Sequence, residues 1–248
     1  MNNDRLFLYP NQFADKRFTG CVGITIADIL GNIHGMPMDS DFSLAAGFAV
    51  QGMVPTTLGQ TAIGGMYGAV AYGCLAETLD RSDPIQTSQF IESDFANYTY
   101  IQKSTAKLFA PKGIRWLNSY DAITRYLLET RWGAATGFKW YSSFGNPRPD
   151  GTLRTPDYEN EPFTYHEVAC YENTSQGLRL KSWQGPDYGD HGDVFMPRSI
   201  FEKAWTGAAG FDPKGRRWAT LVGACLQYPR NIPNLLPLLI EGAKVKRV

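Results

Sequence analysis

Cys21 directly follows Gly20 and begins the apolar segment GCVGITIADILG, which predicts a helix over 21–33. A thiol in the first turn of a buried helix has two interpretations. It is one more small apolar residue, or it is a nucleophile whose thiolate is stabilised by the helix N-terminus. Thiol catalysis also needs a histidine that acts as base and then as acid, and a hydrogen-bond donor that faces the developing oxyanion.

The base must come from one of three histidines. His34 lies 13 residues after Cys21, near the far end of the same predicted helix, and so faces a different neighbourhood. His191 lies in a glycine-rich loop, where a surface-turn role is the ordinary interpretation. His166 lies in a segment whose alternation predicts a strand, which is a rigid support for a base. A structural role remains the alternative for a strand histidine, but the spacing favours His166.

Four segments carry this chemistry in order: GCVGITIAD, GGMYGAVAYGCLAETL, YHEVACYE and LKSWQGPDYGDHGDVFMP. Together they resemble the papain-like cysteine peptidases over roughly residues 10–205. They match the family's nucleophile helix, its Gly-Gly segment with a short helix, its histidine strand and its Asn-Ser-Trp-Gly hairpin.

The resemblance implies a role for each matching residue. Cys21 is the nucleophile and His166 the general base, held as a thiolate–imidazolium pair near neutral pH. The backbone of Gly64 and Gly65 lines the cleft and pairs with the substrate, and Trp183 covers the catalytic pair from solvent. Peptides or proteins are the implied substrates, and no cofactor or metal is implied.

The chain departs from the family at the position of the usual asparagine, which accepts a hydrogen bond from the imidazole. This chain has Lys181 there, and an ammonium group only donates. Three interpretations stay open. Lys181 points away from the site, another acceptor such as Asp187 or Asp190 orients the ring, or the site is inactive.

The oxyanion donor departs from the pattern as well. The family has a glutamine six residues before the cysteine, and that position is Asp15 here. Gln12 lies nine residues before Cys21, and a three-residue insertion would bring its side chain into place. We therefore expect Gln12 and the backbone N–H of Cys21 to hold the oxyanion.

The order of predicted elements, with helices first and a small antiparallel sheet later, indicates an α+β fold. The resemblance specifies a papain-like two-lobe fold over 1–205, with a helical lobe over about 21–115 and a β lobe over about 116–205. Besides the first helix, the patterns predict a helix over 39–53 capped by Asp39 or Ser40, a loop over 56–65, a short helix within 66–79 ending near Gly73, a helix over 119–131, a loop over 146–162, and strands over 132–144, 164–172, 178–183 and 193–197.

The composition fits a globular protein, because 43% of its 248 residues are hydrophobic and 19% are charged. The four cysteines have no zinc-site spacing and we expect them to be thiols. The N-terminus lacks the features of a signal peptide, and no apolar stretch is long enough to span a membrane. We therefore expect a location in the cytoplasm or within a virion, such as a phage or viral particle.

The segment 206–248 is predicted to be a basic, apolar extension. From residue 203 onward the chain has eight basic and two acidic residues. Because the whole chain has no net charge, residues 1–202 carry a net negative charge of the same size. Five of the six residues in 235–240 are leucine or isoleucine, so this extension either packs on the domain or docks on an assembly partner. Its basic end leaves contact with nucleic acid or anionic lipid open, although we do not expect a nucleic-acid partner.

Two functions therefore compete. The first is a peptidase that acts through Cys21, His166 and an acyl-enzyme. The second is a catalytically impaired papain-like fold that serves as a structural or docking protein.

Overall fold

The computed structural model describes residues 20–52, 61–76, 95–182 and 184–212. The described helices are α1 (Cys21–His34), α2 (Ser40–Gln51), α3 (Ala62–Tyr72), α4 (Tyr100–Ala106), α5 (Tyr120–Thr130) and α6 (Arg198–Ala204). The described strands are β1 (Ile114–Trp116), β2 (Ala134–Tyr141), β3 (Phe163–Thr174), β4 (Gly177–Lys181), β5 (Asp193–Met196) and β6 (Trp205–Phe211). All the strands pair antiparallel in one sheet of order β1-β6-β2-β3-β4-β5, so the expected α+β class is confirmed.

Helix α1 lies at the centre of the molecule and is buried from Val22 to Gly31. Its apolar residues share one core with α3 and with small sheet residues such as Ala135 and Ala169. A helix that is apolar on nearly every side must be enclosed by other elements, as it is here. The helix ends at Gly35, whose φ of 72° suits a glycine and allows its N–H to bond to the carbonyl of Gly31.

The sheet has a second core on the face opposite α1. Alternate residues of β3, Val168 and Cys170, are buried there against residues of α5 and α6. The neighbouring positions Glu167 and Ala169 therefore face the α1 side, opposite Gly137 and Ala135 of β2. Over residues 167–170 this alternation assigns each residue to one face, and it buries Cys170 as a small core thiol.

Most predicted elements are confirmed to within a few residues. Asp39 caps α2, and its carboxylate accepts hydrogen bonds from the N–H groups of Asp41 and Phe42. The confirmed predictions are the helices over 21–33, 39–53 and 119–131, the helix ending near Gly73, and the strands over 132–144, 164–172, 178–183 and 193–197.

Two predictions are wrong. Residues 62–65 are not a loop, because α3 begins at Ala62 with Thr61 as its N-cap. The domain boundary at 205 is also wrong, because β6 begins there and pairs with both β1 and β2. The predicted extension therefore contributes a strand to the sheet. No helix among the described residues is long and apolar enough to cross a membrane.

Candidate active site

Cys21 is the first residue of α1 and is half-buried. The backbone of Glu167 on β3 forms a hydrogen bond with Cys21. One turn further along the helix, the hydroxyl of Thr25 donates to the carbonyl of Glu167 at 3.3 Å. The backbone of a single strand residue therefore holds the start of α1 against β3, and that residue directly follows His166.

His166 is half-buried on β3. Its Nε2 lies 3.4 Å from the carbonyl oxygen of Ser182, and the edge of Trp140 packs against the ring at a centroid distance of 5.0 Å. A carbonyl only accepts hydrogen bonds, so this contact requires the proton on Nε2 and leaves the lone pair on Nδ1. The imidazole is thus prepared to accept a proton, although it forms no direct hydrogen bond with the Cys21 thiol in the described structure.

The surroundings of both groups favour their neutral forms. Burial raises the pKa of the Cys21 thiol to about 11, and the carboxylate of Glu167 contributes to the rise. Burial lowers the pKa of His166 to about 4. Near neutral pH these directions favour a neutral thiol and a neutral imidazole, and they oppose the thiolate–imidazolium pair that we expected from the sequence.

Lys181 is buried at the end of β4, opposite Ala169, and therefore faces α1. Its Nζ lies 3.2 Å from Oδ1 of Asp193, and its charge also acts on the carboxyl of Asp28 in α1. Asp193 binds Arg179 as well, at 2.7 Å. The geometry therefore agrees with the first interpretation of Lys181, because its ammonium is held by acidic residues rather than directed at the imidazole.

The backbone carbonyl of Ser182 is the acceptor that orients His166. The acceptor is therefore neither Asp187 nor Asp190, the two acidic alternatives. Asp190 instead lies 3.8 Å from the ring of His191, an exposed residue. A backbone acceptor leaves no trace in side-chain identity, so the sequence contained no signal for it.

The two glycines of the predicted cleft lie in the first turn of α3. The N–H of Gly64 donates to the hydroxyl of Thr61, and the N–H of Gly65 donates to the carbonyl of Thr61. Both glycines are buried and both amides already have partners within the helix, and their pairing with a substrate stays a prediction. At Gly64 the missing side chain makes room for Gln51, whose Nε2 lies 2.2 Å from the position that a Cβ would occupy.

The remaining predicted site residues, Gln12 and Trp183, lie outside the described residues, as does Asp15. Their assigned roles stay predictions. No group of three or more His, Cys, Asp or Glu residues in the described ranges is placed to hold a metal ion.

The sequence patterns did not point to Glu167, although it directly follows His166 and its backbone forms a hydrogen bond with Cys21. Its side chain is only 6% exposed, and burial raises its pKa to about 8. The available signal was an acidic residue at a core-facing position of an alternating strand, next to the candidate base. A carboxyl group at such a position is rarely buried without a role.

Glu167 also lines a cavity of about 490 Å³ between α3 and the sheet. The cavity walls come from the start of α3, from β1 and the residues that follow it, and from the α1-facing side of β2, β3 and β6. Most of the lining side chains are apolar, and they include Ile63, Met66, Trp116 and Trp205.

The described geometry is similar to that of solved cysteine proteases. Xylellain, a cysteine protease from Xylella fastidiosa, matches with a TM-score of 0.64 at 15% identity, over 86% of this chain and 93% of that one. The Carica candamarcensis cysteine protease CMS1MS2, solved in complex with E-64, matches with a TM-score of 0.56 at 11% identity, over 83% and 92%. Bromelain from Ananas comosus, solved with the E64 inhibitor, matches with a TM-score of 0.55 at 13% identity, over 83% and 93%.

No protein-family model matches the chain, and no curated protein matches it in sequence. The structural similarity nevertheless covers most of the chain and of each of these proteases. The chain therefore has the papain-like cysteine protease fold.

Proposed function

We propose that the protein is a cysteine peptidase that hydrolyses peptide bonds through Cys21 and His166. The observation that carries the proposal is the attachment of the N-terminus of α1 to β3 directly after His166, with the lone pair of the imidazole on Nδ1. A thiol at a helix N-terminus and a histidine on the strand that holds this helix are the two groups that acyl transfer to sulfur requires, which supports the proposal.

In the proposed reaction the sulfur of Cys21 attacks the peptide carbonyl carbon while its proton passes to Nδ1 of His166. The backbone N–H of Cys21, with Gln12 as the second proposed donor, stabilises the oxyanion. His166 then gives the proton to the leaving amine, and a thioester remains on Cys21. A water molecule, deprotonated by His166, hydrolyses this thioester and regenerates the thiol.

The neutral resting forms determine when the proton moves. A thiol with a pKa of about 11 and an imidazole with a pKa of about 4 do not exchange a proton spontaneously near pH 7. Proton transfer must therefore accompany the attack on a bound carbonyl rather than precede it, and substrate binding must bring the two side chains into hydrogen-bond contact.

Cleavage of an unstructured protein substrate such as casein tests the proposal, with Cys21→Ala and His166→Ala as the inactivating variants. Cys74→Ser and His34→Gln are the matched controls. Cys74 is a buried thiol that forms a hydrogen bond with the hydroxyl of Ser43, and His34 lies about 20 Å along α1 from Cys21. We expect both controls to keep the wild-type rate and both active-site variants to lose it. Undiminished cleavage by Cys21→Ala would contradict the proposal.

A second candidate is an inactive papain-like fold that serves as a docking protein, and the pKa directions of Cys21 and His166 favour it. The pH dependence of Cys21 alkylation by iodoacetamide in the presence of a peptide substrate analogue separates the two. A peptidase should show faster alkylation of Cys21 when the analogue places the imidazole against the thiol, and His166→Ala should remove this gain. Equal rates with and without the analogue, together with no cleavage, would support the docking protein.

A further inference from the structure

The carboxyl group of Glu167 occupies a space that a missing side chain creates. Gly137 pairs with Glu167 across β2 and β3, and it also pairs with Gly207 of β6. A Cβ at Gly137 would lie 3.0 Å from Oε2 of Glu167 and 2.8 Å from the hydroxyl oxygen of Thr206. The carboxyl and the hydroxyl thus lie together over a strip of sheet without side chains, at the wall of the 490 Å³ cavity.

This carboxyl group has no charged partner within the described residues. Among the described residues, no lysine or arginine forms an ion pair with Glu167, and no donor forms a hydrogen bond with its side chain. By contrast, the buried Asp193 is held by both Arg179 and Lys181. Buried carboxylates are ordinarily paired, so an unpaired one that lines a cavity indicates a ligand with a complementary cation.

The rest of the cavity suits a long side chain with a charged end. Ile63, Met66 and Leu117 offer aliphatic surface to a chain of methylene groups. Trp116 and Trp205 add two indole rings, on which a guanidinium or an ammonium group can pack. The polar atoms of Glu167 and Thr206 lie on the sheet wall, where they would accept the hydrogen bonds of the cation.

We propose that this cavity selects a basic side chain, arginine or lysine, of the peptide substrate, and that Glu167 is the residue that determines this specificity. The inference rests on the proposed peptidase function and names the substrate class of the same site. The backbone of Glu167 forms a hydrogen bond with Cys21 and its side chain lines the cavity, so one strand residue links the cavity to the candidate nucleophile.

Binding of a basic side chain also changes the protonation of Glu167. Burial raises the pKa of its carboxyl group to about 8, so without a bound cation the group is mostly protonated near pH 7. A cation bound beside it favours the carboxylate, and a basic side chain should therefore displace this proton when it binds.

Binding and cleavage of matched peptides test the inference separately. The probes are acetylated hexapeptide amides of alanine and glycine in which one position in turn carries arginine, citrulline, lysine or norleucine. Citrulline and norleucine keep the shape of the basic side chains without their charge. Affinity is measured by calorimetry on Cys21→Ala, which cannot form the acyl-enzyme, and cleavage is measured on the wild type.

At one peptide position we expect arginine to bind more tightly than citrulline on the order of tenfold to a hundredfold, the range of a charge-assisted hydrogen bond. Adding Glu167→Gln should bring the ratio close to one. Glu172→Gln is the matched control, because it removes a more exposed carboxylate from the same strand, and it should leave the ratio unchanged.

Three results would overturn the inference: equal affinity for arginine and citrulline at every position, an arginine preference that survives Glu167→Gln, or no measurable binding of the arginine peptides. The proposed function fails differently. If arginine peptides bind in a Glu167-dependent way but the wild type cleaves none of them, the cavity is supported and hydrolysis is contradicted. If the wild type cleaves all peptides equally, hydrolysis is supported and the specificity is contradicted.

Discussion

Replacing His166 by glutamine should make the protein more resistant to acid unfolding. Burial holds the pKa of His166 near 4 in the folded protein, whereas a histidine in an unfolded chain has a pKa of about 6.5. Below pH 6.5 the unfolded chain therefore binds a proton that the folded protein excludes. The wild type loses stability from this residue as the pH falls from about 6.5 to about 4.

The size of the effect follows from the two pKa values. Between pH 7 and pH 5 the free energy of unfolding should fall by at most about 2 kcal/mol because of His166 alone. The ring is half-buried, and the water that reaches it reduces this figure. Glutamine does not titrate, and its amide nitrogen can still donate to the carbonyl of Ser182, so the variant should lack this loss.

Urea unfolding followed by far-ultraviolet circular dichroism, at pH 7, 6 and 5 and constant ionic strength, measures the effect. The informative quantity is the difference in unfolding free energy between His166→Gln and wild type, because the titration of all other groups cancels in it. His191→Gln, which removes an exposed imidazole, controls for the loss of a ring at the surface.

Parallel stability profiles for His166→Gln and wild type would refute the argument from burial. A difference of the opposite sign, with the wild type gaining on the variant as the pH falls, would be more informative. It would mean that the folded protein holds His166 protonated, as an imidazolium paired with a thiolate at Cys21 would require.

Two further predictions concern the elements that support the site. Lys181→Asn introduces the asparagine that the resemblance to papain-like peptidases predicts at this position. It should lower the unfolding free energy by roughly 1 to 3 kcal/mol, because it removes one of two cations from Asp193, and it should not raise kcat. A gain in kcat would contradict the assigned position of Lys181. Gly68→Ala should lower the unfolding free energy by about 2 kcal/mol or more in the same urea assay, because its Cβ would lie 2.5 Å from the backbone nitrogen of Gly47. The control Gly145→Ala meets nothing within 4 Å and should change the unfolding free energy little. Equal stability of the two variants would show that α2 and α3 do not pack this closely.

The sequence predicts those parts of the fold that depend on local patterns. The apolar run after Cys21 could only be buried as a helix, and the alternation around His166 required a strand. The start of α3 was missed because paired glycines ordinarily favour a loop. Here Gly64 lies within a helix and makes room for Gln51, and close approach between helices is a tertiary property.

Other features depended on partners that are distant in sequence. Strand β6 has the sequence WTGAAGF, whose small residues show no strand alternation, but they allow close packing against α1 and β2. The backbone carbonyl of Ser182 and the cavity beside Glu167 also arise only when distant segments meet. Residue types could therefore identify the candidate nucleophile and base, but they could not identify what orients or surrounds them.

The place of β6 in the sheet has a consequence for synthesis of the protein. This strand is the last described element along the chain, yet it lies between β1 and β2, with Ile114 paired to Phe211 and Ala135 paired to Ala209. Until it emerges from the ribosome, one edge of β2 has no partner, and α1 lacks part of the surface on which it packs. The candidate nucleophile therefore cannot be held in its final position until residues 205–211 have left the ribosome and joined the sheet.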